Sequence, residues 1–137
     1  MSDVRRLTPL VSVDAIEPCI PFWTDVLGFE KGASVPAGDG LAFLILERGS
    51  AQLMYQTVGS VEEDIPAVAS QIAGQTNMLY TEVTELDEIV ERLEAAETEV
   101  VVARRTTFYG ADEIFVRAPC GTIVGLAEFG EAAEGSD

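Results

Sequence analysis

The stretch Pro21-Phe-Trp-Thr-Asp-Val-Leu-Gly-Phe29 is the part of the sequence that most strongly indicates the fold. It ends a predicted helix over residues 15–27, and Gly28 follows as the residue that stops the helix. Before the helix, residues 8–13 alternate between apolar and polar side chains, as a half-buried strand does. After it, turn sequences separate three predicted strands, at 29–35, 41–47 and 51–56. The first half of the chain therefore predicts a βαβββ unit.

The second half of the chain repeats this order of elements. Residues 78–83 are strand-like, and residues 86–96 form an amphipathic helix with one apolar face: Leu86, Ile89, Val90 and Leu93. Three more strands are predicted, at 100–103, 111–117 and 122–128. A repeat distance of about seventy residues is too long for a solenoid, so it favours a duplicated module.

The two halves together predict an α+β protein. Each βαβββ module is expected to place one helix against a four-stranded antiparallel sheet, and the two sheets to form a concave, cavity-enclosing face. The expected single domain covers residues 1–129, with modules at about 7–56 and 77–129. Residues 57–76 are a predicted linker that carries a short helix, and residues 130–137 have the composition of a disordered tail.

The overall composition is that of a globular domain. With 137 residues, of which 47% are hydrophobic and 23% charged, the chain can bury a core and does not have the composition of a disordered protein. The longest uninterrupted apolar run, residues 41–46, is far shorter than the roughly 18 residues of a membrane span, and no signal peptide is visible. We therefore expect a cytoplasmic protein with no membrane partner.

The chain has no histidine, and this excludes several classes of protein. Serine–histidine hydrolases, cysteine–histidine enzymes, zinc fingers and facial-triad iron sites all need an imidazole. Its two cysteines, Cys19 and Cys120, lie about a hundred positions apart and do not form a disulfide framework. Each is expected to be a small buried hydrophobe.

The net charge is −16, from 24 acidic and 8 basic residues. A field of that sign repels phosphate backbones, so nucleic acid is not an expected partner. The same field attracts cationic small molecules. The simpler interpretation is that a solvated acidic surface keeps the protein soluble, and the sequence leaves both interpretations open.

Three motifs resemble those of the vicinal-oxygen-chelate superfamily, which contains glyoxalases, bleomycin-resistance proteins and dioxygenases. The stretch that ends at Phe29 resembles the helix end of this family, and its Trp-Thr-Asp looks most like the bleomycin-resistance branch. Residues 108–122, Phe-Tyr-Gly-Ala-Asp-Glu-Ile-Phe-Val-Arg-Ala-Pro-Cys-Gly-Thr, resemble the second strand-turn-strand motif, although Ala118 replaces the usual aspartate and Thr122 the usual asparagine. Val83 with Leu86-Asp87 resembles the start of the second helix.

The resemblance implies four metal-ligand positions, typically histidine, glutamate or glutamine. They fall on Thr8, Met54, Met78 and Gly125 of this sequence. None of these offers the imidazole or carboxylate that a hard divalent ion prefers. We therefore expect neither a metal nor another cofactor, and metal-dependent catalysis is not expected.

Alternating strand residues are the candidates for a ligand-binding cavity. Methionine, glutamine and tyrosine side chains around a carboxylate are typical of an adaptable small-molecule pocket. The candidate ligand-binding residues are Gln52, Met54, Met78, Tyr80, Glu82, Phe108, Tyr109 and Glu113. Trp23 is open to two interpretations, a core residue or a ligand contact.

Two functions of different classes remain open. The first is a protein that sequesters a small, cationic or amphipathic compound in a cavity of a homodimer, as the resemblance implies. The second is a lyase, dioxygenase or isomerase of the same superfamily. A metal-free isomerase would need Glu82 or Glu113 as a general base, with a pKa raised by burial among apolar neighbours.

Overall fold

A computed structural model of the protein describes residues 2–74 and 77–130, apart from the side chain of Cys120. The chain forms two compact units, residues 1–75 (the first unit) and 76–137 (the second unit), and each is described by itself. The predicted tail, beyond Gly130, lies outside the described residues, as does the predicted burial of Cys120. Among the described residues, no helix is long and apolar enough to cross a membrane.

Each unit is a βαβββ module, which confirms the predicted α+β class. The first unit contains β1 Leu10–Val13, a 3-10 turn Glu17–Cys19, a π-helical turn Phe22–Val26, β2 Glu30–Ala37, β3 Gly40–Arg48, β4 Ala51–Thr57, α1 Val58–Asp64 and α2 Pro66–Ile72. The second unit contains β5 Met78–Glu82, α3 Leu86–Ala95, β6 Glu99–Thr106, β7 Ala111–Arg117, a 3-10 turn Pro119–Gly121 and β8 Ile123–Phe129.

Both sheets are mixed, so the prediction of fully antiparallel sheets was wrong. The strand orders are β1-β4-β3-β2 and β5-β8-β7-β6. β1 pairs with β4 in parallel, and β5 pairs with β8 in parallel, whereas the other pairs are antiparallel. The segment after the first strand of each unit crosses one sheet face, so that this strand lies beside the last strand and runs in the same direction.

The predicted helix over residues 15–27 is present as one helical segment over residues 17–26, which begins with 3-10 geometry and continues with π geometry. Pro21 has no N–H with which to continue an α-helical ladder, and the chain changes there to π geometry, with the Leu27 N–H donating to the Phe22 carbonyl at 3.3 Å. Gly28 then takes a φ of +73°, a left-handed conformation that suits glycine and ends the helical segment as predicted.

The core of the first unit lies between this π turn and the sheet. Trp23 is 2% exposed, and its ring packs edge-on against Phe22 and Phe29 at centroid distances of 5.2 and 5.1 Å. Its Nε1–H donates to the Tyr55 hydroxyl on β4 at 2.8 Å. Trp23 is therefore a core residue of the first unit, the first of its two interpretations. Cys19, four positions before Trp23, is also buried, as predicted.

In the second unit, α3 packs Leu86, Ile89 and Leu93 against the sheet, as the amphipathic pattern predicts. Its first turn is capped by a side chain from another element. The Glu128 carboxylate of β8 accepts hydrogen bonds from the backbone N–H groups of Glu85 and Leu86, at 3.1 and 3.0 Å. These bonds satisfy donors that an α-helix leaves free at its start.

Glu128→Ala is expected to lower the free energy of unfolding by about 1 kcal/mol, because it removes the acceptor of two N–H groups at the start of α3. Urea unfolding followed by far-UV circular dichroism measures this difference. Glu91→Ala, in the exposed middle of the same helix, removes an equal charge and is the control. Equal effects of the two substitutions would contradict the capping role.

Candidate functional site

In each unit, one face of the sheet packs against the helical segment that follows the first strand. The opposite face is here called the outer face. On β4 of the first unit, Leu53 and Tyr55 are buried in the core, so Gln52 and Met54, which alternate with them, project to the outer face. Gln52 accepts a hydrogen bond from the Thr8 hydroxyl at 2.8 Å, and Met54 is half-buried. Both are candidate residues, and the structure places them in a different unit from the other six.

The outer face of the second unit contains a polar cluster centred on Glu113 of β7. Its carboxylate is 0% exposed. Oε1 accepts hydrogen bonds from the hydroxyls of Tyr80 and Tyr109, at 2.8 and 2.7 Å. Oε2 accepts from Nε and Nη2 of Arg105, at 3.1 and 2.8 Å. We call these four residues the Glu113 cluster; its carboxylate has partners at all of the roughly four acceptor positions that such a group offers.

Strand register brings the cluster together. Arg105 of β6 is the direct partner of Glu113 of β7, and Tyr80 of β5 is the partner of Gly125 of β8. Because Gly125 has no side chain, the rings of Tyr80 and Phe115 approach over it, with centroids 6.3 Å apart. The Arg105 guanidinium lies 5.8 Å from the centre of the Phe115 ring, within cation–π range.

Electrostatics in the cluster favour the ionised carboxylate. Burial alone would raise the pKa of Glu113, but the hydrogen bonds from Tyr109, Arg105 and Tyr80 outweigh it and hold that pKa below its ordinary value. Burial of its hydroxyl and the hydrogen bond to Glu113 raise the pKa of Tyr80. The hydrogen bond to Glu113 likewise raises the pKa of Arg105.

These shifts bear on the expectation of a general base. That interpretation required a Glu113 pKa raised towards neutrality, and the structure gives the opposite direction. Glu113 therefore does not meet the condition for a general base, because donors surround its buried carboxylate. Glu82, the other candidate base, lies on β5 with an exposed side chain.

The remaining candidates lie around the cluster without joining its hydrogen bonds. Met78 is on β5 and 46% exposed. Phe108 is fully exposed in the β6–β7 turn, where its ring meets Tyr109 edge-on at 5.1 Å. Tyr109 also packs against Phe129, with centroids 6.3 Å apart. The structure thus brings together Tyr80, Tyr109 and Glu113 of the eight candidates.

Sequence reasoning missed two residues of this surface. Phe115 is two positions after Glu113 on the same strand, so the period of two would have placed both on one face. Arg105 was missed because the strand before it was predicted to end at residue 103, whereas β6 continues to Thr106. A buried glutamate on a strand needs a cationic partner, so a basic residue on the neighbouring strand was the signal that could have identified Arg105.

The positions at which the family carries metal ligands do not fit a metal here. Gly125 has no room for a side chain, since an added Cβ would lie 2.8 Å from Cε2 of Phe115 and 3.0 Å from Cδ1 of Tyr80. Thr8 already donates to Gln52, and the two methionines, Met54 and Met78, offer a soft thioether. Across residues 2–74 and 77–130, no group of three or more His, Cys, Asp or Glu could hold a metal ion.

Comparison with known proteins identifies the family. Residues 6–126 match the Glyoxalase/Bleomycin resistance protein/Dioxygenase superfamily, and the chain belongs to that family. No curated protein shows significant sequence similarity to it. The match does not separate the bleomycin-resistance branch from the others.

Solved structures share the fold at low sequence identity. TioX from Micromonospora sp. ML1 superposes with a TM-score of 0.71 at 18% identity, over 90% of this chain and 99% of that one. A lactoylglutathione lyase from Agrobacterium tumefaciens gives 0.67 at 19%, over 93% and 96%. TnmS3, described as an antibiotic binding protein from Streptomyces sp. CB03234, gives 0.65 at 18%, over 94% and 100%.

Proposed function

We propose that the protein binds a small aromatic compound and sequesters it, without a metal and without chemical conversion. The observation that carries this proposal is the Glu113 carboxylate, which is buried, ionised and hydrogen-bonded at both oxygens. A carboxylate so occupied, with a lowered pKa, is a poor acceptor for a substrate proton. It instead fixes the side chains around it, which is what a preorganised binding surface requires.

The class of ligand follows from the polar atoms at the exposed side of the Glu113 cluster. Tyr80 and Tyr109 both give their proton to Glu113, so each phenol oxygen can only accept a hydrogen bond from a ligand. Arg105 is 53% exposed, and its guanidinium, which also interacts with the Tyr109 hydroxyl, has more N–H donors than these contacts use. Acceptors and donors beside the Phe115 ring fit a planar aromatic compound that carries a hydroxyl or amide group.

A homodimer in the cytoplasm, with the ligand in a cavity formed by the assembly, completes the proposal. This arrangement follows from the resemblance to the bleomycin-resistance branch, and a closed assembly would shield a ligand on the outer face from water. The fold shared with TnmS3, described as an antibiotic binding protein, supports a binding role. The charge of −16 favours ligands that carry a positive group.

Native mass spectrometry of protein purified without chelator tests the proposal. We expect a dimer free of stoichiometric metal, which gains the mass of hydroxylated aromatics or aromatic amides from a panel and returns them unchanged. Tyr80→Phe/Tyr109→Phe is expected to bind about tenfold more weakly or worse, since each lost hydrogen bond contributes about 1 kcal/mol. Tyr55→Phe removes the third tyrosine hydroxyl, in the core of the first unit, and is the matched control.

Two results would overturn this function. A stoichiometric divalent metal would show that the ligand positions were assigned wrongly. A converted ligand would favour a lyase, dioxygenase or isomerase of the same superfamily, and Glu82→Gln would then be compared with Glu113→Gln to find the base.

A further inference from the structure

The first unit contains a cavity that the proposed function does not use. It is open to one side, has a volume of about 550 Å³ and lies where α1 meets the outer face of the sheet. Pockets for small organic ligands have volumes of roughly 300–1,000 Å³. The lining residues are Val35, Phe43, Gln56, Ser60, Glu63 and Asp64.

The sheet side of the cavity is apolar apart from one buried amide. Val35 of β2 and Phe43 of β3 are register partners, and Phe43 is in turn the partner of Gln56 on β4. Gln56 is only 8% exposed, and its Nε2 donates to the Ser60 hydroxyl at 3.0 Å. Its carbonyl oxygen receives no hydrogen bond from any described residue.

That oxygen is accessible to solvent beside the cavity. No buried side-chain nitrogen or oxygen among residues 2–74 and 77–130 lacks a hydrogen-bond partner. The Gln56 oxygen has none, so it is accessible to solvent, and Gln56 is one of the residues that line the cavity. A nine-tenths buried amide that holds a free acceptor towards an apolar space is complementary to a hydrogen-bond donor on a ligand.

The rim of the cavity is negatively charged. Glu63 and Asp64 are the last two residues of α1, where the carbonyl end of the helix adds partial negative charge. Both side chains are exposed, and neither forms an ion pair with a described residue. No basic side chain lines the cavity. An anionic ligand is therefore disfavoured, and the apolar sheet side disfavours a fully hydrated inorganic cation.

We propose that this cavity binds an organic ammonium ion with an apolar body: the body contacts Val35 and Phe43, one N–H group donates to Gln56, and the charge faces Glu63 and Asp64. The inference goes beyond the proposed function, because it assigns a second binding site, made of other residues, to the first unit. The two sites have no residue in common, so variants of one leave the other intact.

Isothermal titration with 3-phenylpropylammonium, its neutral analogue 3-phenylpropan-1-ol and the anion 4-phenylbutyrate tests the proposal. The ammonium is expected to bind about tenfold more tightly than the alcohol at low salt, and the anion not to bind. Glu63→Gln/Asp64→Asn is expected to remove this preference, and added salt to weaken it. Gln56→Met keeps the volume of the side chain but removes the acceptor. It is expected to weaken binding of the ammonium several-fold more than binding of the alcohol.

The matched control is Glu62→Gln/Asp39→Asn, which removes two exposed acids that do not line the cavity and is expected to retain the preference. Equal binding of ammonium and alcohol would overturn the proposal, and so would a preference that survives Glu63→Gln/Asp64→Asn or disappears in the control. Absence of ammonium binding would overturn it as well. None of these results affects the proposed function, which the Tyr80→Phe/Tyr109→Phe variant tests separately.

Discussion

Glu113→Gln is expected to lower the free energy of unfolding by about 2–3 kcal/mol at pH 7, the range for hydrogen bonds to a buried charged group. A glutamine oxygen can still accept from Tyr80 and Tyr109. Its amide nitrogen, however, then points at the N–H groups of Arg105, so that donors face donors. Arg105 itself is half-exposed and water can solvate it, so the cost falls on the buried amide.

The effect of this substitution depends on pH in a direction fixed by the pKa values. The pKa of Glu113 lies below its ordinary 4.5, so its ionised form stabilises the fold above pH 4.5, and this contribution is lost as the pH falls through the folded pKa. The difference between wild type and Glu113→Gln should therefore shrink below pH 4.5. The pKa of Tyr80 lies above its ordinary 10.0, so its contribution is complete below pH 10 and is lost above it.

Urea unfolding at a series of pH values measures both effects. Glu82→Gln is the matched control: it removes the same charge from an exposed position on β5 and is expected to change the unfolding free energy by less than about 0.5 kcal/mol. A Glu113→Gln variant as stable as this control at pH 7 would show that the carboxylate has no structural importance.

Gly125→Ala is expected to lower the free energy of unfolding by about 2 kcal/mol through overpacking. Its Cβ would lie 2.8 Å from the Phe115 ring and 3.0 Å from the Tyr80 ring, so both must move, and Tyr80 is held by its hydrogen bond to Glu113. We also expect the variant to bind aromatic ligands more weakly. Gly125→Glu, which places a carboxylate at a ligand position of the family, is expected to unfold still more easily and to gain no metal.

Gly59→Ala makes the same substitution in the exposed helix α1, where no atom lies within 4 Å of the added Cβ. It is expected to be neutral or to stabilise, since alanine favours a helix by up to about 1 kcal/mol over glycine. Losses of similar size at both glycines would show that the close ring contacts at Gly125 are not the cause.

The fold was predictable from the sequence because its signals are local. The apolar period of α3, the glycine after the π turn and the alternation along β4 each depend on neighbouring residues. The parallel pairing of β1 with β4 was not predictable in this way. It depends on the path of the chain between Val13 and Glu30, which crosses a sheet face before β2 begins.

The candidate site was predictable only in part, since it depends on strand register. Tyr80 and Glu113 are 33 residues apart, and only the pairing of β5, β8 and β7 brings them together. Arg105 lay beyond the predicted end of its strand, so the sequence indicated Glu113 as a candidate binding residue without its cation. An unpaired buried carboxylate has a raised pKa and a paired one a lowered pKa, and the chemical interpretation of Glu113 changed accordingly.

The position of Trp23 has a consequence for how this protein can be observed. It is the chain's only tryptophan, it is buried in the first unit, and its indole N–H is bound to Tyr55. Its fluorescence therefore reports the local state of the first unit. Loss of structure around Glu113 is not directly visible in that signal and has to be followed by circular dichroism or tyrosine absorbance. A shift between the tryptophan and circular dichroism curves would separate the unfolding of one unit from that of the other.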